Sequence, residues 1–264
     1  MNRTEDDAAA PASELRVIAV VQARMTSRRL PGKVLTPLAG SPVLGLVVGR
    51  LGRSTRIDGV VVATSTDPSD DPVADWCAQH GTRCHRGSLD DVLDRFLGAA
   101  RASGATHVVR ITADCPLIDP DLVDRVIAQA LAEDLDYCGL AGEFPDGLDC
   151  EVMSRSALER AAVEAMLPSE REHVTPYLKR PDVTLRRGEV RPFTGLGHHR
   201  WTLDRPEDLR FLEAVLARSS GDALTLATDE ILAILGAKPS LMALNADIVR
   251  NEGYLRSLDE DGET

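Results

Sequence analysis

Three short apolar runs, RVIAVVQ (16–22), GVVVAT (59–64) and THVVRIT (106–112), are continuous rather than alternating in polarity. A strand with one wet face alternates; a strand covered on both faces does not. The runs therefore read as buried strands of a mostly parallel sheet. Helical patterns lie between them. In LDDVLDRFLGAA (89–100), Leu89, Val92, Leu93, Phe96, Leu97 and Ala100 recur at the spacing of one helix face. In DPDLVDRVIAQALAE, Asp119 reads as an N-cap and Pro120 as the first helical residue. A βαβαβ order implies a doubly wound sheet with right-handed crossovers. Ligands on such sheets bind beyond the carboxyl ends of the strands.

After about residue 135 the pattern is mixed. GLDCEVM (147–153) and VTLRRGEV (183–190) read as strands of a small insertion subdomain, about 135–198. SEREHVTPYLKR (169–180) reads as a helix entry broken at Pro176, HRWTLD (199–204) as a returning strand, and RPEDLRFLEAVLAR as a helix with Pro206 in its first turn. Residues 225–252 carry two more short helices. The expected organisation is a disordered arm over 1–15, a catalytic domain over 16–220 and a helical extension over 221–264. At 264 residues and 43% hydrophobic, the chain can bury a large core.

A net charge of −12 argues against general affinity for nucleic acid polymers or anionic membranes. No apolar run approaches the roughly 20 residues of a membrane span. The start, MNRTEDDAAAPASEL, lacks the apolar centre of a signal peptide, so the chain reads as cytoplasmic. The five cysteines form no C-x-x-C pair and lack zinc-site spacing. His198 and His199 are adjacent and would point opposite ways on a strand.

Against that acidic background, VVQARMTSRRLPGKVL (20–35) places Arg24, Arg28, Arg29 and Lys33 in one loop straight after the first strand. Clustered cations repel one another unless an anion neutralises them. A nucleoside triphosphate carries roughly four negative charges, and arginine forks suit phosphate oxygens. The spacing matches neither G-x-x-x-x-G-K-[ST] nor G-x-G-x-x-G, so neither a P-loop ATPase nor a dinucleotide dehydrogenase is supported. A solvated basic loop is the alternative.

QARMTSRRLPGKVL resembles the signature loop of cytidylyltransferases that activate acidic sugars, the acylneuraminate and 3-deoxy-manno-octulosonate enzymes. RGSLDDVLDRF (86–96), RITADCPLIDP (110–120), SEREHVTPY (169–177), HRWTLDRPEDL (199–209) and NADIVRNEGYLRSL (245–258) resemble the spore-coat polysaccharide branch of that family. Ala113 stands where glycine is expected. The resemblance implies a three-layer α/β/α nucleotide-diphospho-sugar transferase-like fold, GT-A and Rossmann-like. It implies transfer of CMP from CTP to a hydroxyl of an acidic sugar or related small acid, with Mg²⁺ and a homodimer. A glycosyltransferase using a nucleotide-sugar, or a non-catalytic nucleotide-binding protein, is the competing expectation.

Such chemistry needs cations for the leaving pyrophosphate and a metal for the α-phosphate. Arg24 and Lys33, supported by Arg28, suit the first task. Asp114 and Asp204 each follow an expected strand, and the resemblance makes them the metal ligands and, with Arg24 and Lys33, the catalytic set. Asp204 with Glu207 also reads as a capping pair, and Asp114 as a turn residue. Ala23, Thr64, Ser65 and Ser88 fall where the family contacts the nucleotide, although Thr64, Ser65 and Ser88 equally suit caps and turns. Gly147, Asp149, Arg171 and His173 are the acceptor candidates. Trp201 and Phe96 read as core.

Overall fold

Val17, Ala19 and Val21 leave strand β1 (Val17–Gln22) on one side and Ile18 and Val20 on the other, and all five are buried. Both faces of the strand are dry, which is why its sequence does not alternate. In the computed structural model, which describes residues 14–262, β1 is an interior strand, third in a seven-stranded sheet.

The chain leaves β1 through a 3₁₀ turn (Lys33–Leu35), a small hairpin of β2 (Pro37–Leu38) and β3 (Ser41–Pro42), and α1 (Val43–Leu51). It runs outward through β4 (Gly59–Ser65), α2 (Asp71–Gln79) and β5 (Arg83–Gly87). It then returns through α3 (Val92–Ser103) to β6 (His107–Thr112) on the opposite flank of β1. After α4 (Pro120–Ala132) come β7 (Tyr137–Leu140), β8 (Glu151–Ser154) and α5 (Arg155–Glu164), then α6 (Pro168–His173), α7 (Pro176–Lys179) and β9 (Arg187–Val190). The chain ends in α8 (Pro206–Leu216), α9 (Thr228–Ala237) and α10 (Glu252–Asp261).

The order is β5-β4-β1-β6-β8-β7-β9, with β8 alone antiparallel. The strands expected in the insertion thus continue the main sheet. The order reverses beside β1, so the crevice for a ligand lies at its carboxyl end. Helices α1, α2 and α4 cover one face, and α3 and α5 the other. A third cluster joins Trp201, Leu203 and the apolar sides of α8 and α9, and Phe96 lies within the second, so both aromatic residues are core as expected. Buried Arg50 ties that third cluster to α1, donating to the carbonyls of Ile118, Ala223 and Leu226 at 2.6–2.7 Å.

The three apolar runs are strands, and Asp119 caps α4 with Pro120 in its first turn. Helix α3 begins later than its spacing suggests, because Asp91 caps it by accepting from the Asp94 N–H. Two expected strands are shorter: only Glu151–Ser154 and Arg187–Val190 enter the sheet. HRWTLD is not a strand. It has one bridge, Arg200 to Asp146, and its remaining backbone bonds go to loops off the sheet. The expected arm falls, over residues 1–13, outside the described residues.

Candidate active site

The basic loop is fastened from below. Asp70 is fully buried; it accepts from the Met25 N–H at 2.7 Å and from both the N–H and hydroxyl of Ser65. Gly32, at φ 74°, then turns the chain into the 3₁₀ segment, with its N–H donating to the Met25 carbonyl at 2.9 Å. This aims Lys33 inward. Its ammonium, almost wholly buried, donates to Asp114 at 2.5 Å and Asp204 at 2.6 Å.

The two aspartates therefore converge, but not through paired strands. Asp114 sits in the turn after β6, and the Asp114 carbonyl accepts from the Leu203 N–H at 2.8 Å and from the Thr202 hydroxyl at 3.2 Å. That pins the extended segment before α8 against the end of β6. Nor is Asp204 a helix cap. The N-cap of α8 is Arg205, and Asp208 accepts from the N–H groups of Asp204 and Arg205 at 2.9 and 3.0 Å. Glu207 instead pairs with Arg210. The Asp204 side chain is left for Lys33, Arg29 at 2.8 Å and Arg200 at 3.3 Å.

Burial alone would raise the Asp204 pKa, but Lys33, then Arg29, hold the carboxyl well below the usual range. Burial likewise pulls Lys33 down, and Asp114 and Asp204 more than restore it, so the ammonium stays charged. Arg200 is buried between Asp146 at 2.8 Å and Asp208 at 2.8 Å, anchoring the segment from beneath. Two carboxylates already sharing one cation form a hard-oxygen donor pair that suits a divalent ion of the Mg²⁺ kind. Among the described residues no group of three or more acidic, His or Cys side chains could hold a metal. The remaining ligands would be water and substrate oxygen, as Mg²⁺ prefers.

Arg24, Arg28, Arg29 and Lys33 line a cleft of about 770 Å³ that also reaches Asp114 and Asp204. Arg24 contacts Glu172 at 3.5 Å, and Arg28 is exposed. A second cavity of about 470 Å³ adjoins it, and Arg110 and His173 line both. On its wall Glu151 accepts from Tyr137, Thr175, Arg110 and Lys179 at 2.5–3.1 Å.

The other sequence-derived candidates divide. Asp149 and His173 line the second cavity, and Arg171 lines the cleft while donating a fork to Asp91. Burial lowers the His173 pKa despite Glu172, and its Nε2 meets the Ser257 hydroxyl at 2.9 Å. Gly147 has a packing role. At φ 103°, its missing Cβ would sit 2.7 Å from the Trp201 carbonyl carbon. Thr64 and Ser65 are fully buried and do not line the cleft, since Ser65 serves Asp70. Ala23 is buried and extends the β1–β4 pairing, donating to the Ala63 carbonyl. The Ser88 hydroxyl accepts from the Asp91 N–H.

Sequence reasoning missed several groups. Arg29 was in view only as part of the charge cluster. Arg200 sits four residues before Asp204, a spacing that without a helix carries no signal. Gln22, at the carboxyl end of β1, lines the cleft with a buried side-chain oxygen lacking a partner. Arg95 is buried beside Arg24, with its pKa pulled down to about 10 by burial and then by that neighbour. It holds the 88–89 turn through carbonyls, and two of its nitrogens have no partner.

Residues 18–218 match the family model described as cytidylyltransferase. The chain is 31% identical over 230 residues to the spore coat polysaccharide biosynthesis protein SpsF of Bacillus subtilis, covering 84% of this chain and 95% of that protein. It is 36% identical over 116 residues to 3-deoxy-manno-octulosonate cytidylyltransferase of Geobacter sulfurreducens, covering 43% of this chain and 45% of that one. A solved cytidylyltransferase from Leptospira borgpetersenii superposes with a TM-score of 0.83 at 29% identity, over 90% of this chain and all of that one. The three-layer sheet arrangement is that of nucleotidyltransferases of the nucleotide-diphospho-sugar transferase type.

Proposed function

This chain belongs to the cytidylyltransferase family, and on that footing we propose that it transfers CMP from CTP to a hydroxyl of an acidic sugar or a related small hydroxylated acid. The observation that carries the reading is the Lys33 ammonium held between Asp114 and Asp204 on the wall of a cation-lined cleft. The hydroxyl oxygen forms a bond to the α-phosphorus, the bond to the β-phosphate oxygen breaks, pyrophosphate departs, and the hydroxyl proton is released. Arg24, Arg28 and Lys33 neutralise the departing charge, where fixed cations in a partly dry cleft act most strongly. Arg29, already on Asp204, adds to that field. Asp114 and Asp204 would hold Mg²⁺, which when bound supplies positive charge to the phosphate undergoing attack.

The adjoining cavity suits the acceptor. Arg110 and Lys179 bring cations to its wall, and arginine forks favour carboxylates. Asp149 and His173 lie there, and Arg171 stands in the cleft beside it. The names of the relatives support this choice: one belongs to polysaccharide biosynthesis and another acts on a sugar acid. The reading includes a homodimer, supported by exposed apolar side chains Val163, Met166 and Leu167 at the α5–α6 corner. It also includes a cytoplasmic setting, supported by five free cysteines.

The experiment is a pyrophosphate-release screen pairing four nucleoside triphosphates with a panel of sugar acids. Release that requires both CTP and one acid is the expected result. Turnover of a nucleotide-sugar without pyrophosphate would favour a glycosyltransferase and overturn the proposal.

A further inference from the structure

Helix α10 lies beyond residue 218, where the family match ends. Its placement nonetheless ties it to the candidate site at several points. Glu252 accepts from Arg205 at 2.9 Å and pairs at 3.5 Å with Arg29, the same arginine that holds Asp204. Ser257 meets His173 Nε2 at 2.9 Å and donates to Glu172 at 3.0 Å. Asp261 accepts from the Ser169 N–H at 3.0 Å. Just before the helix, Arg250 donates to Asp149 at 3.2 Å and to the Phe144 carbonyl at 2.8 Å, with its guanidinium 4.4 Å above the Phe144 ring.

These anchors turn two sides of one helix toward two cavities. Gly253, Arg256, Ser257 and Glu260, at helical spacing, line the cation-rich cleft. Asn251 and Tyr254 line the adjoining cavity. The cations of the cleft then separate into two groups. Arg24 pairs with Glu172, Arg29 with Asp204 and Glu252, Lys33 with Asp114 and Asp204, and Arg171 with Asp91. Among the described residues, Arg28 and Arg256 line the cleft with no carboxylate oxygen within 4 Å, although Arg256 also acts at longer range on Glu252. One comes from the loop after β1 and the other from α10, which is half-buried there.

We propose that α10 is part of the substrate site, and that Arg256 binds the β- and γ-phosphates of the nucleotide, the portion that leaves as pyrophosphate. The proposal rests on the CTP-dependent reading above. Arg256 belongs to the cleft with Arg28 and Lys33 rather than to the acceptor cavity, so phosphate is its natural partner. Glu252 is a positioning residue: it clamps the first turn of α10 to Arg29 and Arg205, and so sets where Arg256 stands.

The test is calorimetric titration of the full chain with pyrophosphate, CTP and CMP. Wild type is compared with Arg256→Ala, Arg256→Lys and Glu252→Gln, and thermal melting of each variant checks the fold. Arg256→Ala should weaken pyrophosphate and CTP about tenfold, as loss of one charge-assisted phosphate contact does, and leave CMP unchanged. Arg256→Lys should recover part of the loss, and Glu252→Gln should weaken the same two ligands. Unchanged pyrophosphate affinity in Arg256→Ala overturns the proposal, as does an equal loss for CMP. If Arg256→Ala loses pyrophosphate while wild type shows no CTP turnover with any acid, the functional reading fails and this one stands.

Discussion

Lys33 sets the character of the site, because its buried ammonium is neutralised by Asp114 and Asp204 together. Two consequences follow for variants. Asp114→Ala should abolish pyrophosphate release, by at least a hundredfold, while circular dichroism and the melting profile stay those of a folded protein; retained turnover would remove Asp114 from the metal site. Lys33→Ala should raise the KM for CTP about tenfold or more and weaken inhibition by pyrophosphate, both read from initial rates. Glu151 governs a different property. Burial would raise its pKa, but Lys179 and Arg110 overcome this and bring it down to about 2. A depressed carboxylate stabilises the fold fully above its unfolded value, near 4.3, and ceases to do so as pH falls toward 2. The shift corresponds to roughly 3 kcal/mol. Glu151→Gln should therefore flatten the dependence of urea-unfolding stability on pH between about 4.5 and 2, and an unaltered slope would contradict the assignment.

At the scale of elements, the telling segment is 199–204. Its apolar and β-favouring residues suggest a strand, yet it lies along neither edge of the sheet, β5 or β9. Its backbone bonds go instead to Asp114 and Asp146, and Gly147 lets the 144–147 loop approach closely enough. Gly147→Ala should lower the melting temperature and cut turnover together, because an alanine there meets both a positive φ and the Trp201 backbone. Normal stability with normal turnover would show that the close approach is dispensable. The α6–α7 junction shows a related constraint. Val174 sits at φ 71°, ψ −50°, and the Thr175 N–H donates to the His173 carbonyl at 2.8 Å, which is a strained γ-turn. That turn sends His173 toward both cavities and Thr175 toward Glu151. SEREHVTPY shows the Pro176 break but carries no signal for the valine conformation.

Across the whole molecule, the exposed apolar corner of Val163 (79% exposed) and Met166 (81%) is the surface to which the proposed dimer assigns a second copy of the chain. Met166→Glu should shift the protein toward monomer in sedimentation velocity, and a wild-type monomer would overturn the dimer reading. Local pattern determined much of the rest. Short, β-branched, continuous apolar runs separated by helical patterns read as strands covered on both sides, so the parallel core and its carboxyl-end crevice were legible in sequence. The clustering of cations in the first loop was legible too, since it is a property of neighbours along the chain, but the carboxylates that offset Arg24, Arg29 and Lys33 come from distant segments. What local pattern cannot carry is contact between distant segments. Asp204 looked like a cap because Glu207 stands three residues on, whereas Asp208 takes that task and Lys33 claims Asp204 from 171 residues away. Thr64 and Ser65 looked available because composition does not record which side chains the interior consumes. The tertiary structure alone decided these points, and it alone brought α10 to the cleft. Each depends on which polar groups find partners once the backbone has closed, a competition among residues far apart in sequence.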